Sequence, residues 1–432
     1  MKMKKTAKSI GFLVTGILSL SCIFGGCAPQ GGDSGESAGG GFTVIRFWNG
    51  FTGADGETMD KIVSNFNAAY ADEKIMVVAD KLPWDTLFNK ITTTSSNLKT
   101  APHIVAMSAS RIAGMEAKKI LLPLEGIEEY LSVSESDYIS AAWNGGVLGD
   151  VRYGFPLDVH PTAMYYNKNL IAEEELPSTW DEFLDVCIEK TKDGVYGWTV
   201  PSMYSVTKDV FLNMLYSAGG SMFDNGNKAV FNSSVAEEKL QYLYDLVHGE
   251  NPVSPENVGS GGDFTLFSQG KSVFYFDGPW VINTFGLFDN PDSNIGVASC
   301  PDSLGEGQLN FAGSHQFTLM KNTVTTDTVR NACYTFMKYV SDHSLDWGKA
   351  GQVPAKKSIH ETAEYKSLAA LQPFTQMAYN STLGEIDYKY WYEAYNNMGV
   401  AVSNAISDIS KPRDALNAAV SDFNDFVIDQ EL

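Results

Sequence analysis

Three observations predict an α/β protein built as two lobes. Short apolar runs alternate with stretches of helical period, the signature of strand and helix in turn. One run, "HIVAM" at 103–107, is short and continuously apolar, as a parallel strand buried on both faces tends to be. The chain has 432 residues, more than one ordinary core organises, so two domains or two lobes are expected.

The elements follow in order. "FTVIRFWNGF" (42–51) reads as a strand that ends at Asn49-Gly50. In "GETMDKIVSNFNAAY" the residues Met59, Ile62, Val63, Phe66 and Tyr70 recur at helical spacing. "KIMVVAD" (74–80) and "HIVAM" are the next strands, and strand-helix-strand order implies a parallel sheet. Ligands of such sheets bind beyond the carboxyl ends of the strands. That rule puts Trp48, Asn49, Lys81 to Trp84, and Ser108 to Ser110 at one mouth.

Further along, "LPSTWDEFLDVCIEKT" opens a helix in which Thr179 and Glu182 form a capping box. Trp180, Phe183, Leu184, Cys187 and Ile188 make its apolar stripe, so Trp180 is assigned to the core. "VAEEKLQYLYDLVH" is a second amphipathic helix. In "GKSVFYFDGPWVINTF" a strand meets a sharp turn at Asp277-Gly278, and Pro279 suits the first position of a helix. Trp280 then stands at a helix N-terminus, again at a mouth. A helix over 325–342 turns Val329, Cys333, Phe336, Met337 and Val340 inward, and the C-terminal region is helical.

The first forty residues stand apart from the fold. "MKMKKTAK" is basic, and "IGFLVTGILSLSCIF" is apolar but short for a membrane span. Cys27 follows Phe24, Gly25 and Gly26, and "FGGC" resembles a bacterial lipoprotein signal. Cys22 has Ser19 where a large apolar residue is wanted. Residues 1–26 are therefore read as a lipoprotein signal peptide, with Cys27 as the lipidated (palmitate-bearing) residue; an ordinary cleaved leader is the alternative. Residues 27–41 are a Gly/Ser-rich tether. Loss of Lys2, Lys4, Lys5 and Lys8 takes the formal charge from −21 to −25. Such a chain is repelled by nucleic acid and by anionic headgroups, so the membrane is reached through the lipid anchor only. Cys187, Cys300 and Cys333 have no metal-ligand spacing and read as buried thiols.

Seven stretches in order resemble the extracellular solute-binding proteins of ABC importers, in their sugar- and oligosaccharide-binding, maltose-binding-protein-like branch. They are "FWNGFTGADGETMDKIVSNFN", "GFPLDVHPTAMYYNKNL", "LPSTWDEF", "YGW", "GKSVFYFDGPWVI", "GSHQFTLMKN" and "WGKAGQVPAKKS", which span most of 42–432. His103 departs from the pattern, since "APHIVAM" usually carries Asp after the proline. The resemblance implies two α/β lobes, each a mainly parallel sheet flanked by helices, with a ligand cleft between them. It places 42–157 and 312–372 in the N-terminal lobe, and 158–311 and 373–432 in the C-terminal lobe. "GFPLDVHP" becomes the first crossing between lobes, "FAGSHQF" the second, and the region of Gln372-Pro373 a third. It also implies capture of a sugar or oligosaccharide, delivery to permease subunits, a monomer, no cofactor, and a place on the outer face of the cell membrane.

On a crossing strand Asp158 and His160 point the same way. Pro156 and Pro161 remove backbone donors, as an edge or connecting strand tolerates. If that face is the cleft, a carboxylate and an imidazole meet one ligand; if not, Asp158 pairs with His160 or caps a turn. Hydroxyls reward charged acceptors, and sugar C–H faces lie against aromatic rings. Trp48 and Trp280 are the stacking candidates, with lobe core as the alternative for each. Trp84 and Trp391 are divided between core and ligand. His315, in "GSHQF" at the second crossing, resembles a cleft position of the family, with a satisfied strand histidine as the alternative, and Ser314 beside it is a ligand candidate. A hydrolase would need two carboxylates, for which Asp158 and Asp277 could be nominated, but no catalytic motif accompanies them. The six histidines do not cluster in sequence, which argues against a metal-binding receptor. A sensor for a membrane kinase would have the same lobes.

Overall fold

The computed structural model describes residues 37–38, 41–94, 101–202, 206–290, 292–321 and 323–432. Cys22, Cys27 and the leader lie outside the described residues. Strand Phe42–Asn49 is flanked in parallel by Ile75–Lys81 and by Ile104–Ser108, as the alternating pattern predicts. Helix Ala54–Ala69 buries Met59, Ile62, Val63 and Phe66. They join Ile45, Phe47, Ile104 and Ala106 in the larger core. Trp48, Val105 and Met107 point to the other face, where Leu87 and Ile91 of helix Trp84–Thr94 cover them. Both faces of the sheet are thus dry, and this accounts for the unbroken apolar run at 104–107.

The sheets are mixed, which corrects the expectation of mainly parallel ones. In the 7-stranded sheet, His315–Met320 runs antiparallel to Ile104–Ser108, and Gly154–Pro156 antiparallel to His315–Met320. In the second, 4-stranded sheet, Tyr196–Trp198 is parallel to Ser272–Asp277. Ala163–Asn167 is antiparallel to both Ser272–Asp277 and Ile295–Ala298. A strand that enters a lobe through a crossing arrives from the cleft side, so it opposes the strands that the lobe's own helices connect.

A third sheet lies where the chain crosses. Its order is Val353–Pro354, Asp158–Pro161, Asn310–Gly313, Ser381–Thr382. The chain leaves the large sheet at Pro156, passes through Asp158–Pro161 and enters the second sheet at Ala163. It returns through Asn310–Gly313 to His315. The two crossings are hydrogen-bonded neighbours, with Gly313 opposite His160. Helix Gln372–Tyr379 packs on this third sheet.

Local signals hold elsewhere. Thr179 accepts from the Glu182 amide at 3.2 Å, and Glu182 accepts from the Thr179 amide at 3.3 Å, which closes the capping box. Trp180 is buried against Phe183 and Phe276. Cys187, Cys300 and Cys333 are buried free thiols. Pro279 does begin a helical turn, but it is a single 3-10 turn, Pro279–Val281. Helices Trp391–Ile406 and Pro412–Glu431 close the chain. Among the described residues no helix is long and apolar enough to cross a membrane.

His103, the departure from the family pattern, is a core residue. Its Nδ1 accepts the Arg46 amide at 2.9 Å, and its side chain is almost wholly buried. Burial, with the Arg46 charge, lowers its pKa to about 4. The fold therefore holds His103 neutral, and its contribution to stability is complete above pH ~6.5 and lost as pH falls through about 4. We expect roughly 2–3 kcal/mol of acid destabilisation from this one group. Urea midpoints at pH 7 and pH 4 should differ less in His103→Asn than in the parent chain. An unchanged acid limb in the variant would show that His103 does not carry it.

Candidate functional site

The crossing strands form the floor of a cleft with two chambers. The inner chamber, about 180 Å³, is lined by Ser108 and Ser110 after strand Ile104–Ser108, and by Thr162, Gly313 and Ser314 of the crossings. Asp209, Trp391, Tyr392 and Tyr395 close it from the other side. The outer chamber, about 640 Å³, is lined by Phe51, Asp55, Trp84, His315, Asn283, Thr284 and Gln352. His160 and Trp280 belong to both and stand between them. Among the described residues, no lysine or arginine lines either chamber.

Asp158 organises the floor from behind. It is fully buried, and four protein donors converge on its carboxylate. The His315 amide lies 2.8 Å from Oδ1, and Trp347 Nε1 lies 2.9 Å from Oδ2. The imidazoles meet it through Nδ1, His315 at 2.9 Å from Oδ2 and His160 at 3.2 Å from Oδ1. Ser314 Oγ donates to the Asp158 carbonyl at 2.7 Å. Burial by itself would raise the carboxyl pKa, but the His315 charge and the hydrogen bonds from His160 and His315 overcome it and hold it well below the usual range. His160 is pushed down by burial and by His315.

Asp158 and His160 do share one side of the strand, yet the expectation that both meet the ligand is corrected for Asp158. Its acceptor sites are filled by protein, so it aims the histidines and lines neither chamber. The histidine rings lie 4.4 Å apart, tilted by 32°, and are 14% and 13% exposed at the cleft.

Glycines shape the aromatic walls. A Cβ on Gly50 would lie 2.1 Å from the Trp84 ring, and one on Gly278 would lie 2.1 Å from the Trp280 ring. Each indole therefore lies flat on bare backbone. Trp84 also stacks on His315 at 5.2 Å with a 5° interplanar angle. Trp280 is 41% exposed and touches His160 edge-on. Gly313 likewise gives way to His160, whose Nε2 would be 2.1 Å from a Cβ there.

Three other expectations change. Trp48 is 1% exposed, sealed under helix Trp84–Thr94, with Nε1 donating to Asp80 at 2.9 Å, so it has no face for a ligand. Asn49 is buried and accepts the Phe51 amide at 3.2 Å, turning the chain into the cleft loop. Asp277 accepts from Tyr275 and, at 2.8 Å, from the Gly278 amide; it fixes the turn that carries Trp280. Burial pushes its pKa up to about 6. Neither Asp158 nor Asp277, the pair nominated for hydrolysis, opens onto a chamber. Trp391 is nearly buried, and its stacked partners Phe311 and Tyr395 line the inner chamber beside it. Sequence reasoning missed Tyr392 and Tyr395. Their signal was present in "YKYWYEAY", where a helix puts 391, 392 and 395 along one side. Asp209 carried no signal beyond an ordinary helix N-terminal acid.

Two α/β lobes joined through paired crossing strands, with a polar and aromatic cleft at the joint, define a two-lobe ligand-binding protein. The chain belongs to the bacterial extracellular solute-binding protein family, whose model matches residues 61–373. It is similar to the galactooligosaccharide-binding protein of Bacillus subtilis, 23% identical over 382 residues and 85% of each chain. It also resembles the arabinooligosaccharide-binding protein of Halalkalibacterium halodurans, 25% identical over 255 residues; that match covers 54% of this chain and 55% of the relative's length. Among solved structures, the GacH receptor of Streptomyces glaucescens, studied unliganded and with acarbose, superposes with a TM-score of 0.75 at 20% identity. That match covers 88% of this chain and 97% of the receptor. The sugar-binding protein MalE of Xanthomonas citri superposes with a TM-score of 0.77 at 16% identity, covering 90% and 98%.

Proposed function

We propose that this protein captures a neutral sugar or oligosaccharide in the interlobe cleft and hands it to the permease of an ABC importer. The observation that carries this reading is the pair of indoles, Trp84 and Trp280, laid on Gly50 and Gly278 beside hydroxyl, amide and imidazole groups. Flat apolar faces with a few convergent polar groups suit a ring that is apolar above and hydroxylated at its edge. None of the described lining residues is lysine or arginine, which favours an uncharged ligand over a phosphorylated or acidic one. The family and the two oligosaccharide-binding relatives support the same class.

The lobes are taken as 42–157 with 312–372, and 158–311 with 373–432, in keeping with the strands each main sheet contains. The protein works as a monomer on the outer face of the membrane, held by a lipid on Cys27. Mass spectrometry of the mature chain tests the anchor: an unmodified N-terminus downstream of Cys27 rules it out.

A thermal-shift screen of neutral oligosaccharides, with sugar phosphates and uronates as controls, tests the ligand class. A true ligand at 100 times its Kd should add about 2.7 kcal/mol of stability. Small-angle scattering with that ligand should give a smaller radius of gyration as the lobes close. A screen in which only the acidic sugars stabilise the chain would overturn the proposal.

A further inference from the structure

We infer that Asp158, His160 and His315 form a site for a divalent transition cation, zinc in the first place, at the floor of the cleft. One ligand atom from each of the three lies within 4.8 Å of the others. The geometry is closer to a coordination site than that limit implies. His160 Nδ1 is 3.2 Å, and His315 Nδ1 3.1 Å, from the same oxygen, Asp158 Oδ1. Zinc bound to nitrogen and oxygen at ~2.0–2.1 Å has ligand-to-ligand edges of about 3.3 Å in a tetrahedron. Two edges of the triangle are therefore near that length before any ion enters.

The surroundings fit as well. Trp347 Nε1 and the His315 amide hold the carboxylate from behind, and Ser314 holds the Asp158 carbonyl. Such supporting hydrogen bonds orient a ligating carboxylate. An ion would replace the two imidazole-carboxylate hydrogen bonds and leave those three in place. Both rings border the outer chamber, so water or a ligand hydroxyl can fill the fourth position. Among the described residues, no lysine or arginine lines either chamber to repel a cation. Two imidazoles and one carboxylate favour zinc, copper or nickel over magnesium or calcium, which prefer oxygen donors alone. Binding requires each imidazole to present an unprotonated Nδ1: a neutral ring then carries its proton on Nε2, and only an imidazolium releases one.

The test needs no sugar and so stands apart from the proposed function. The full chain is stripped with chelator and titrated with zinc by calorimetry, and with cobalt(II) by visible absorption. One equivalent should bind, and cobalt should give the intense bands of a four-coordinate site. His160→Ala and His315→Ala should each weaken zinc binding at least ~10-fold, the loss typical even of supporting groups. His160→Gln, which keeps a polar group at that place, should lose the cobalt bands while melting like the parent. His343→Ala, on the exposed end of helix Asp327–Asp342, should bind as the parent does. No binding at micromolar zinc, or binding that survives both alanine variants, would overturn the inference and leave an adventitious surface ion only.

Discussion

Replacing Asp158 with alanine is expected to destabilise the ligand-free protein by about 3–5 kcal/mol, the range for removing one partner of a buried charged network. The reason is what remains behind. The Trp347 indole and the His315 amide would both lose an acceptor in a dry setting, and each unsatisfied donor costs roughly 1–3 kcal/mol. The carboxylate also joins segments far apart in sequence: the first crossing, the second crossing, and the helix Leu345–Lys349 that carries Trp347. Asp158→Asn should lose less, because its amide oxygen still accepts from part of this set. Urea melting of the ligand-free variants decides it. A midpoint for Asp158→Ala equal to that of the parent would mean that the network does not hold the crossings together. Reduced sugar affinity in this variant would follow from displaced histidines, since the carboxylate itself does not reach the cleft.

Trp280→Ala should give the opposite profile. The ring is 41% exposed, rests on Gly278 and meets His160 only at its edge, so its loss leaves no cavity in a core. The free protein should melt within about 0.5 kcal/mol of the parent, as surface changes generally do. The ring stands between the two chambers, however, and a sugar spanning them would be covered by it. Removing that cover should weaken binding by ~1.5–3 kcal/mol, the burial value of a large apolar side chain. That is about 10- to 150-fold in Kd. Calorimetric titration beside melting curves separates the cases. Affinity equal to that of the parent, or a large fall in stability, would remove Trp280 from the binding surface.

The contrast between these two residues shows what could be read early. The strands at 42–49, 75–81 and 104–108, the capped helix from Trp180, and the Pro279 turn were legible because short-range periodicity and capping chemistry are local properties. The mouth positions Ser108, Ser110, Trp84 and Trp280 were legible too, because strand ends define a mouth in any sheet of this kind. Trp48 was misread by the same rule. The rule gives the end of the strand, whereas burial of its last side chain depends on helix Trp84–Thr94 folding over it.

By itself, then, the sequence determined the α/β class, the order of the elements and the aromatic residues available to a cleft, while the crossing segments came from the family resemblance. The tertiary structure alone decided how they are used. His160 and His315 are separated by 155 positions, and nothing in their spacing indicates that one buried carboxylate aims both. Asp158 and His160 share a face of one strand, and only the packing of Trp347 and the second crossing makes the first a hidden support and the second a cleft residue. Periodicity records which side chains point together along one element. Which of them meets solvent is set by what the rest of the chain lays across that element, and that is a property of long-range packing.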